Sequence, residues 1–504
     1  MIRLFDIAKE RGRSMDELLQ YDVCSTSPLF DEECLMTKAT KSQIVQELEK
    51  HLGEDCPKTP PTSDSAKTGY IVDVMANVRK IKQKASSHFG EFCDSFLRFI
   101  QSSAKGASRT DLVFDSYMDK SIKDSERQRR EKKSPIEVHD VRRETPIRQE
   151  MDRFWPSIRN KAKLESLLHQ EALAYSWNEP TPDVVVSNFR ILDGTELPCS
   201  TAGAEVSELN ITMEEADARI VPHVMHAVTH GISRIIVLSA DTDVFVLMVF
   251  YWNVLHSHGL SELWVKAGVG DSTRFIPIHV LAAQIGENLC QVLPAVHVLT
   301  GCDYTSKIGT KHAALMTNPE HYLEHFGTKT DQSTIDKAEE YLTQVLKKGT
   351  NFKKMDQLHF KKMDQLRNEL YHHSKSVSLQ QLPPTSSATR LHILRAVYAT
   401  NEMVSLLSTT HDRLDPTQYG FEEVDDLLTP KMHANPIPEE FATHCHCLKC
   451  GTQRCPCLRN AEPCCSFCRC QSGLLAECKK SSVKHRRTWH HDQMLITKLA
   501  VKMV

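Results

Sequence analysis

The chain has 504 residues, 40% of them hydrophobic and 25% charged, which fits an ordinary globular protein of roughly two to four domains and excludes a disordered or fibrous one. A net charge of −3 and an isoelectric point near 6.8 exclude a global electrostatic pull toward nucleic acid, so any such binding must come from local basic patches. No stretch is long and apolar enough to cross a bilayer; the nearest, from Ile235 to Trp252, carries Asp241 and Asp243 in its middle.

Residues Met1 to Glu10 lack the apolar core of a secretory signal, so an intracellular address is expected. The 17 cysteines are therefore read as thiols or metal ligands rather than disulfides. Residues 1–54 read as short helices, and 55–67, rich in Pro, Ser, Thr and Asp, as a linker. Residues 68–317 alternate short apolar runs with helical intervals, which predicts an α/β domain on a parallel sheet. Within it, 120–163 is polar and basic and reads as an exposed insertion. Residues 318–410 read as helical, because Leu391 to Tyr398 has apolar spacing near 3.6. Here Phe352 to Leu358 recurs as Phe360 to Leu366, a single tandem copy too short for a solenoid. Residues 411–440 are Pro-rich and read as an extended linker, 441–480 hold a cysteine cluster, and 481–504 form a basic tail.

Seven acidic residues in five stretches stand out: Asp73, Asp115, Glu215 with Asp217, Asp241 with Asp243, and Asp303. Four apolar runs that read as buried strands lead into them: Tyr70 to Asp73, Leu112 to Asp115, Ile235 to Asp241, and Val296 to Asp303. Continuous apolar runs suit strands covered on both faces, and in parallel sheets ligands gather at the carboxyl ends. Four such ends would bring the carboxylates together. Like charges in one place raise each other's pKa, and a divalent cation relieves the repulsion. Clustered carboxylates are the hard oxygen ligands that Mg²⁺ or Mn²⁺ prefers. Each piece also has a plain reading, since Asp241-Thr242-Asp243 alone is commonly a turn or a helix cap. Glu215-Ala216-Asp217 opens a predicted helix ending near Gly231, which Pro222 is expected to interrupt, since an interior proline kinks a helix and costs about 3 kcal/mol.

The succession of Glu215-Ala216-Asp217, Ser239-Ala240-Asp241-Thr242-Asp243 and Gly301-Cys302-Asp303-Tyr304 resembles the flap-endonuclease type of nuclease, a branch of the PIN-like superfamily. Val72-Asp73 and Val113-Phe114-Asp115 match that family's upstream acidic positions, so the resemblance covers roughly residues 69 to 315. It implies a PIN-like parallel sheet with flanking helices, and hydrolysis of phosphodiester bonds by two metal ions roughly 3.5–4 Å apart. It implies further that Asp73, Asp115, Glu215 and Asp217 hold one ion, and that Asp241, Asp243 and Asp303 hold the other or its waters. The family's glycine-rich hairpin is represented by Ser306 to Ala313 with one glycine, where Lys307 or Lys311 would contact phosphate. Basic residues after Asp115 would steer the nucleic-acid backbone, with Lys123 and Arg127 on one helical face; interleaved acids also fit a solvated helix. A second resemblance is to a group of animal proteins often found beside mobile elements. It rests on Val113-Phe114-Asp115, Ser121-Ile122-Lys123, Arg127 to Arg130 and Leu382 to Ser386, spans nearly the whole chain, and implies a mobile-element origin.

Ten cysteines crowd between Cys445 and Cys478, a segment with few large apolar residues, so metal binding must supply its folding free energy. Repeated Cys-x-Cys pairs suit a multinuclear cluster with bridging thiolates. The segment resembles the tesmin-like CXC domain, which implies three Zn²⁺ held by nine cysteines: Cys445, Cys447, Cys450, Cys455, Cys457, Cys464, Cys468, Cys470 and Cys478, with Cys465 extra. Nearby Lys449, Arg454, Arg459 and Arg469 would meet phosphate, or the segment is a purely structural zinc knot. Two functions follow from the sequence: a Mg²⁺- or Mn²⁺-dependent nuclease with a zinc tail that helps hold DNA, or a non-catalytic nucleic-acid-binding scaffold with the same fold. The expected partner is nucleic acid, DNA ahead of RNA, with no membrane, and the expected address is the nucleus.

Overall fold

The computed structural model describes residues 2–22, 27–54, 56–62, 67–81, 88–116, 136–148, 151–178, 182–187, 189–191, 194–196, 198–201, 205–213, 215–349, 358–373, 381–408, 414–425, 427–432, 435–448, 450 and 454–470. The chain divides into two compact units, one drawn from both of its ends (Met1–Ser25 with Asn435–Val504) and one spanning Thr26–Ala434.

The larger unit is α/β. Its strands are β1 (Thr68–Asp73), β2 (Arg109–Val113), β3 (Asp183–Val186), a separate hairpin β4 (Phe189–Ile191) and β5 (Gly194–Glu196), then β6 (Cys199–Ser200), β7 (Arg234–Leu238), β8 (Glu262–Ala267) and β9 (Arg274–Pro277). The central sheet has the order β6-β3-β2-β1-β7-β8-β9. Its five inner strands are parallel, and the two edge strands pair antiparallel. Every residue of β2 and β7 is buried, as expected for strands covered on both faces. Val72, Leu112, Val184 and Ile236 pack with the helices Phe89–Ser103 and Ile158–Ala174 in one apolar core. Truncating Leu112 there to alanine would cost about 2–5 kcal/mol. The helix Ala216–Thr229 lies along β1 and β2, and Thr242–Ser257 along β8.

From β1 the chain steps outward to β2 and β3, then returns to the opposite side of β1 as β7. Strand order reverses at that point, which opens a crevice at the carboxyl ends of β1 and β7. The register puts Asp73 opposite Val113 and Val72 opposite Leu238, so Asp73, Asp115 and Asp241 leave three adjacent strands at the same edge.

Three sequence expectations need correction. The run Val296 to Asp303 is not a strand: Val296 to Leu299 closes the helix Glu287–Leu299, and Asp303 follows in the next turn. That helix is buried continuously from Val292 to Leu299, so it shows no polar face, and an apolar run without a polar face reads alike as strand or helix. Pro222 does not interrupt its helix, which runs from Ala216 to Thr229. Burial of Ile220, Val221, His223, Val224, Ala227 and Val228 outweighs the lost backbone donor. Inside the stretch read as exposed, Val141, Ile147 and Phe154 are core residues, spaced too widely among polar neighbours to form a visible period.

The C-terminal part of this unit is helical, with Gln332–Lys348, Met363–His373 and Ser386–Val404 packed on one another, followed by a hairpin of β10 (Phe421–Val424) and β11 (Leu427–Pro430). The second heptapeptide copy lies at the start of Met363–His373, with Phe360, Met363 and Leu366 buried; 350–357, which hold most of the first, lie outside the described residues.

In the smaller unit the helix Ile2–Glu10 packs by Ile7 among Cys445, Cys455, Cys457, Cys465 and Cys468. Ala8 and Leu18 pack with Phe441. Arg11 Nη2 donates to the Thr443 carbonyl at 2.5 Å and lies 3.7 Å from Cys457 Sγ, while Arg13 pairs with Glu462 at 2.5 Å. Among the described residues no helix is long and apolar enough to cross a membrane.

Candidate metal centres

Asp73 ends β1 and caps the next helix: its Oδ1 accepts from Ala76 N–H at 2.9 Å, and its Oδ2 from Ser239 Oγ at 3.0 Å. Buried Asn77 donates to the carbonyls of Asp73 (2.8 Å) and Leu238 (2.5 Å), which ties the ends of β1 and β7 together. Asp115, two residues past β2, accepts from Ala216 N–H at 2.9 Å and so fixes the helix start that carries Glu215 and Asp217. Buried Arg219 on that helix donates back to the Phe114 carbonyl at 2.7 Å. Asp241 caps Thr242–Ser257, its Oδ1 accepting from Asp243 N–H at 2.9 Å. These caps are the bland role foreseen for Asp residues at strand ends, and they leave the remaining carboxylate oxygens directed by the backbone rather than by loose rotamers.

Six of the seven acidic residues, Asp73, Asp115, Glu215, Asp217, Asp241 and Asp303, line one cleft of about 660 Å³. The seventh, Asp243, joins them through its neighbours: oxygens of Asp217, Asp241 and Asp243 lie within 4.8 Å of one another. This triad divides the seven differently from the sets expected from the sequence, taking Asp217 from one and Asp241 and Asp243 from the other. Burial raises the Asp73 pKa to about 7, with the Asp115 charge adding to it. Asp217 is pushed well above the carboxylate range by burial and then by Asp241, Asp73, Glu215 and Asp243; Asp241 is raised by burial and by Asp243. Carboxylates held this close raise one another's pKa, and a bound divalent cation relieves the repulsion. Their oxygen-only donor set fits a hard divalent ion, which would displace the protons. The triad can thus hold a metal ion.

Asp243 is held by residues the sequence reading passed over. His297, fully buried, bonds its Oδ1 through Nε2 at 2.7 Å. Burial lowers the His297 pKa to about 4, with the Lys311 charge adding to the shift, so the neutral ring donates from Nε2 and presents Nδ1 to Lys311 Nζ at 3.5 Å. Lys311 is itself buried and donates to the carbonyls of His297 (2.7 Å) and Gly301 (2.9 Å). Its amine therefore braces the turn that carries Asp303, and does not reach outward to phosphate as its place in the hairpin implied by the resemblance suggested. Lys307 is exposed, outside the cleft lining. Lys41 Nζ bridges Asp243 Oδ2 (3.2 Å) and Asp303 Oδ2 (2.9 Å). Burial would lower the Lys41 pKa, but the charges of Asp243, Asp303 and Asp241 raise it above the usual lysine value. No sequence signal marks Lys41, which lies 202 residues from Asp243. Lys38, Arg79, Trp155 and Lys161 also line the cleft. Lys123 and Arg127 lie outside the described residues.

The cysteine cluster forms three overlapping groups of four, each with its sulfurs within 4.8 Å: Cys445, Cys447, Cys450 and Cys455; Cys445, Cys457, Cys464 and Cys468; Cys445, Cys450, Cys464 and Cys470. Close sulfur pairs are 3.4–3.8 Å apart. A disulfide needs about 2.05 Å. Tetrahedral zinc with bonds of about 2.3 Å sets its sulfurs about 3.8 Å apart, so the spacing suits a metal such as zinc. Cys465, set aside as extra, is buried with Sγ 3.7 Å from Cys468; Cys478 and Lys449 lie outside the described residues. Comparison with models of known protein families finds no match for this chain, and no curated protein matches it.

Proposed function

We propose that the larger unit is a divalent-cation-dependent nuclease of PIN-like type, hydrolysing phosphodiester bonds in nucleic acid. One observation carries the reading: carboxylates from three adjacent strand ends, a helix start and a distant turn share one cleft that Lys38, Arg79 and Lys161 also line. The strand order, reversing at β1 with the acidic residues at the carboxyl edge, agrees with the fold that the motif order resembles. When bound, Mg²⁺ or Mn²⁺ would polarise the phosphate and lower the pKa of an attacking water. Asp217, Asp241 and Asp243 hold the ion; Asp73, Asp115 and Glu215 extend the acidic floor, where they can order its waters. Lys38, Arg79 and Lys161 face the polyanion at the rim, and Trp155 offers an aromatic surface beside Arg79, whose guanidinium lies 5.7 Å from the ring centre. The cysteine module binds three zinc ions through shared thiolates: eight described sulfurs fill twelve ligand places only by bridging. Its role is to hold DNA.

A second reading, a non-catalytic nucleic-acid-binding scaffold, draws on Lys311. Its burial removes one of the two lysines that would grip phosphate after Asp303. The experiment is cleavage of labelled single-stranded, duplex and flapped DNA and RNA by the full chain with Mn²⁺, beside Asp217→Asn. Metal-dependent cleavage lost in the variant supports the nuclease; binding without cleavage supports the scaffold.

A further inference from the structure

The segment from Met36 to Lys41 is one wall of the acidic cleft, and it belongs to none of the motifs that define the site. It is firmly seated. The Thr37 carbonyl accepts from Lys307 N–H at 2.8 Å, and Ala39 rests on Gly301, where a Cβ would come within 2.7 Å of the Ala39 Cβ. Just beyond Lys41, the helix Gln43–Glu49 buries Ile44, Val45 and Leu48. The ammonium thus reaches Asp243 and Asp303 from a fixed base, with only 22% of the side chain exposed.

This arrangement splits the carboxylates by partner. Asp217, Asp241 and Asp243 converge on one point, while Asp303 lies outside that group and pairs with Lys41. Asp243 has one oxygen on His297 and the other on Lys41. A second divalent ion shared by Asp243 and Asp303 would need the position that the ammonium holds. We propose that Lys41 is a tethered cation in the second metal position, so that the cleft binds one divalent ion and Lys41 supplies the other positive charge facing the phosphate. The part about phosphate rests on the nuclease reading; the part about ion stoichiometry does not.

A lysine in this role differs from an ion in three ways. It cannot be chelated, its charge does not depend on metal concentration, and it donates hydrogen bonds to phosphate oxygens without coordinating water. The wild-type chain should therefore need a single metal-binding event, and Lys41→Met should open a second.

The test is Mn²⁺ titration of the full-length, zinc-loaded chain, counting only ions whose binding Asp217→Asn or Asp303→Asn removes. Wild type and Lys41→Arg should bind one such ion. Lys41→Met should bind two, the added ion at least ten-fold tighter than any second ion on wild type and lost again in Lys41→Met/Asp303→Asn. Two ions on wild type, or one on Lys41→Met at unchanged affinity, overturns the proposal. Lys41→Arg keeps the test valid if the methionine variant misfolds, because two ions on the arginine variant would equally contradict it. The nuclease reading fails separately: a chain that gains an ion on Lys41→Met yet cleaves no nucleic acid retains the tethered cation and loses the activity. Cleavage by wild type with stoichiometry unmoved in Lys41→Met has the opposite meaning.

Discussion

Replacing Asp73 with asparagine isolates the charge burden of the acidic cleft. Burial and the Asp115 carboxylate raise the Asp73 pKa from 3.8 to about 7. The native chain therefore keeps a proton on Asp73, between those two values, that the unfolded chain has released. Stability of the metal-free wild type falls as pH rises through that window and levels off above it. At about 1.4 kcal/mol per pKa unit, the raised Asp73 pKa costs the native state up to about 4 kcal/mol at pH 8, where the group is ionised, and about 2 kcal/mol at pH 5, where it must hold a proton the unfolded chain has released. Asparagine has no charge to desolvate, and its Oδ1 can still accept from Ala76 N–H, now 2.9 Å from Asp73 Oδ1. Asp73→Asn should thus be more stable than wild type in chelator at pH 8, and the gap should narrow at pH 5. Urea unfolding at both pH values measures it. In excess Mn²⁺ the gap at pH 8 should shrink, because a cation in the cleft offsets the Asp73 charge; an ion at 100 times its dissociation constant stabilises the site it binds by about 2.7 kcal/mol. A variant less stable than wild type at pH 8 in chelator, or a gap that ignores pH, would refute the electrostatic account.

Three further outcomes follow from the same contacts. Gly301→Ala should destabilise the chain by about 1–3 kcal/mol in chemical denaturation and weaken Mn²⁺ binding, because the residue has φ +113° and its Cβ would lie 3.0 Å from the Lys307 Cα. His297→Phe should keep an aromatic ring in place yet remove the imidazole donor from Asp243 Oδ1; Mn²⁺ affinity measured calorimetrically should fall at least ten-fold, and an unchanged affinity would show that the histidine does not position Asp243. Elemental analysis should find three zinc ions per chain. Cys445→Ser should lose more of them than Cys447→Ser, because Cys445 belongs to all three sulfur groups and Cys447 to one.

The strands β1, β2 and β7 were legible from the apolar runs at their carboxyl ends, Tyr70 to Val72, Leu112 to Val113 and Ile235 to Leu238, because burial on both faces demands that pattern; the buried Arg109 and Asp111 of β2 lie outside it. The acidic residues beyond them were legible for a related reason, since a charge that ends an apolar run marks where the sheet meets solvent or a ligand. Val296 to Leu299 looked the same and is helical, because a helix packed on all sides between Thr242–Ser257 and Ser386–Val404 loses the polar face that identifies helices. Lys41 and His297 gave no local signal, and the hairpin position of Lys311 pointed to phosphate rather than to the carbonyls of His297 and Gly301. Their roles arise from contacts across the fold: a lysine reaching Asp243 over 202 residues is, in sequence, one surface cation among 62 basic residues. The joining of Ile2–Glu10 to the cysteine module was equally hidden, resting on Ile7 and on the bond from Arg11 to the Thr443 carbonyl, 432 residues away. Short-range pattern reports which face of an element is buried. It does not report what distant partner covers it.

The most direct test of the central claim is a crystal of the full chain soaked in Mn²⁺ and measured for anomalous scattering. The account predicts a peak about 2.1 Å from carboxylate oxygens of Asp217, Asp241 and Asp243, with Lys41 still on Asp303. A cleft without a peak at saturating Mn²⁺, or a peak elsewhere in the unit while the triad stays empty, would contradict it.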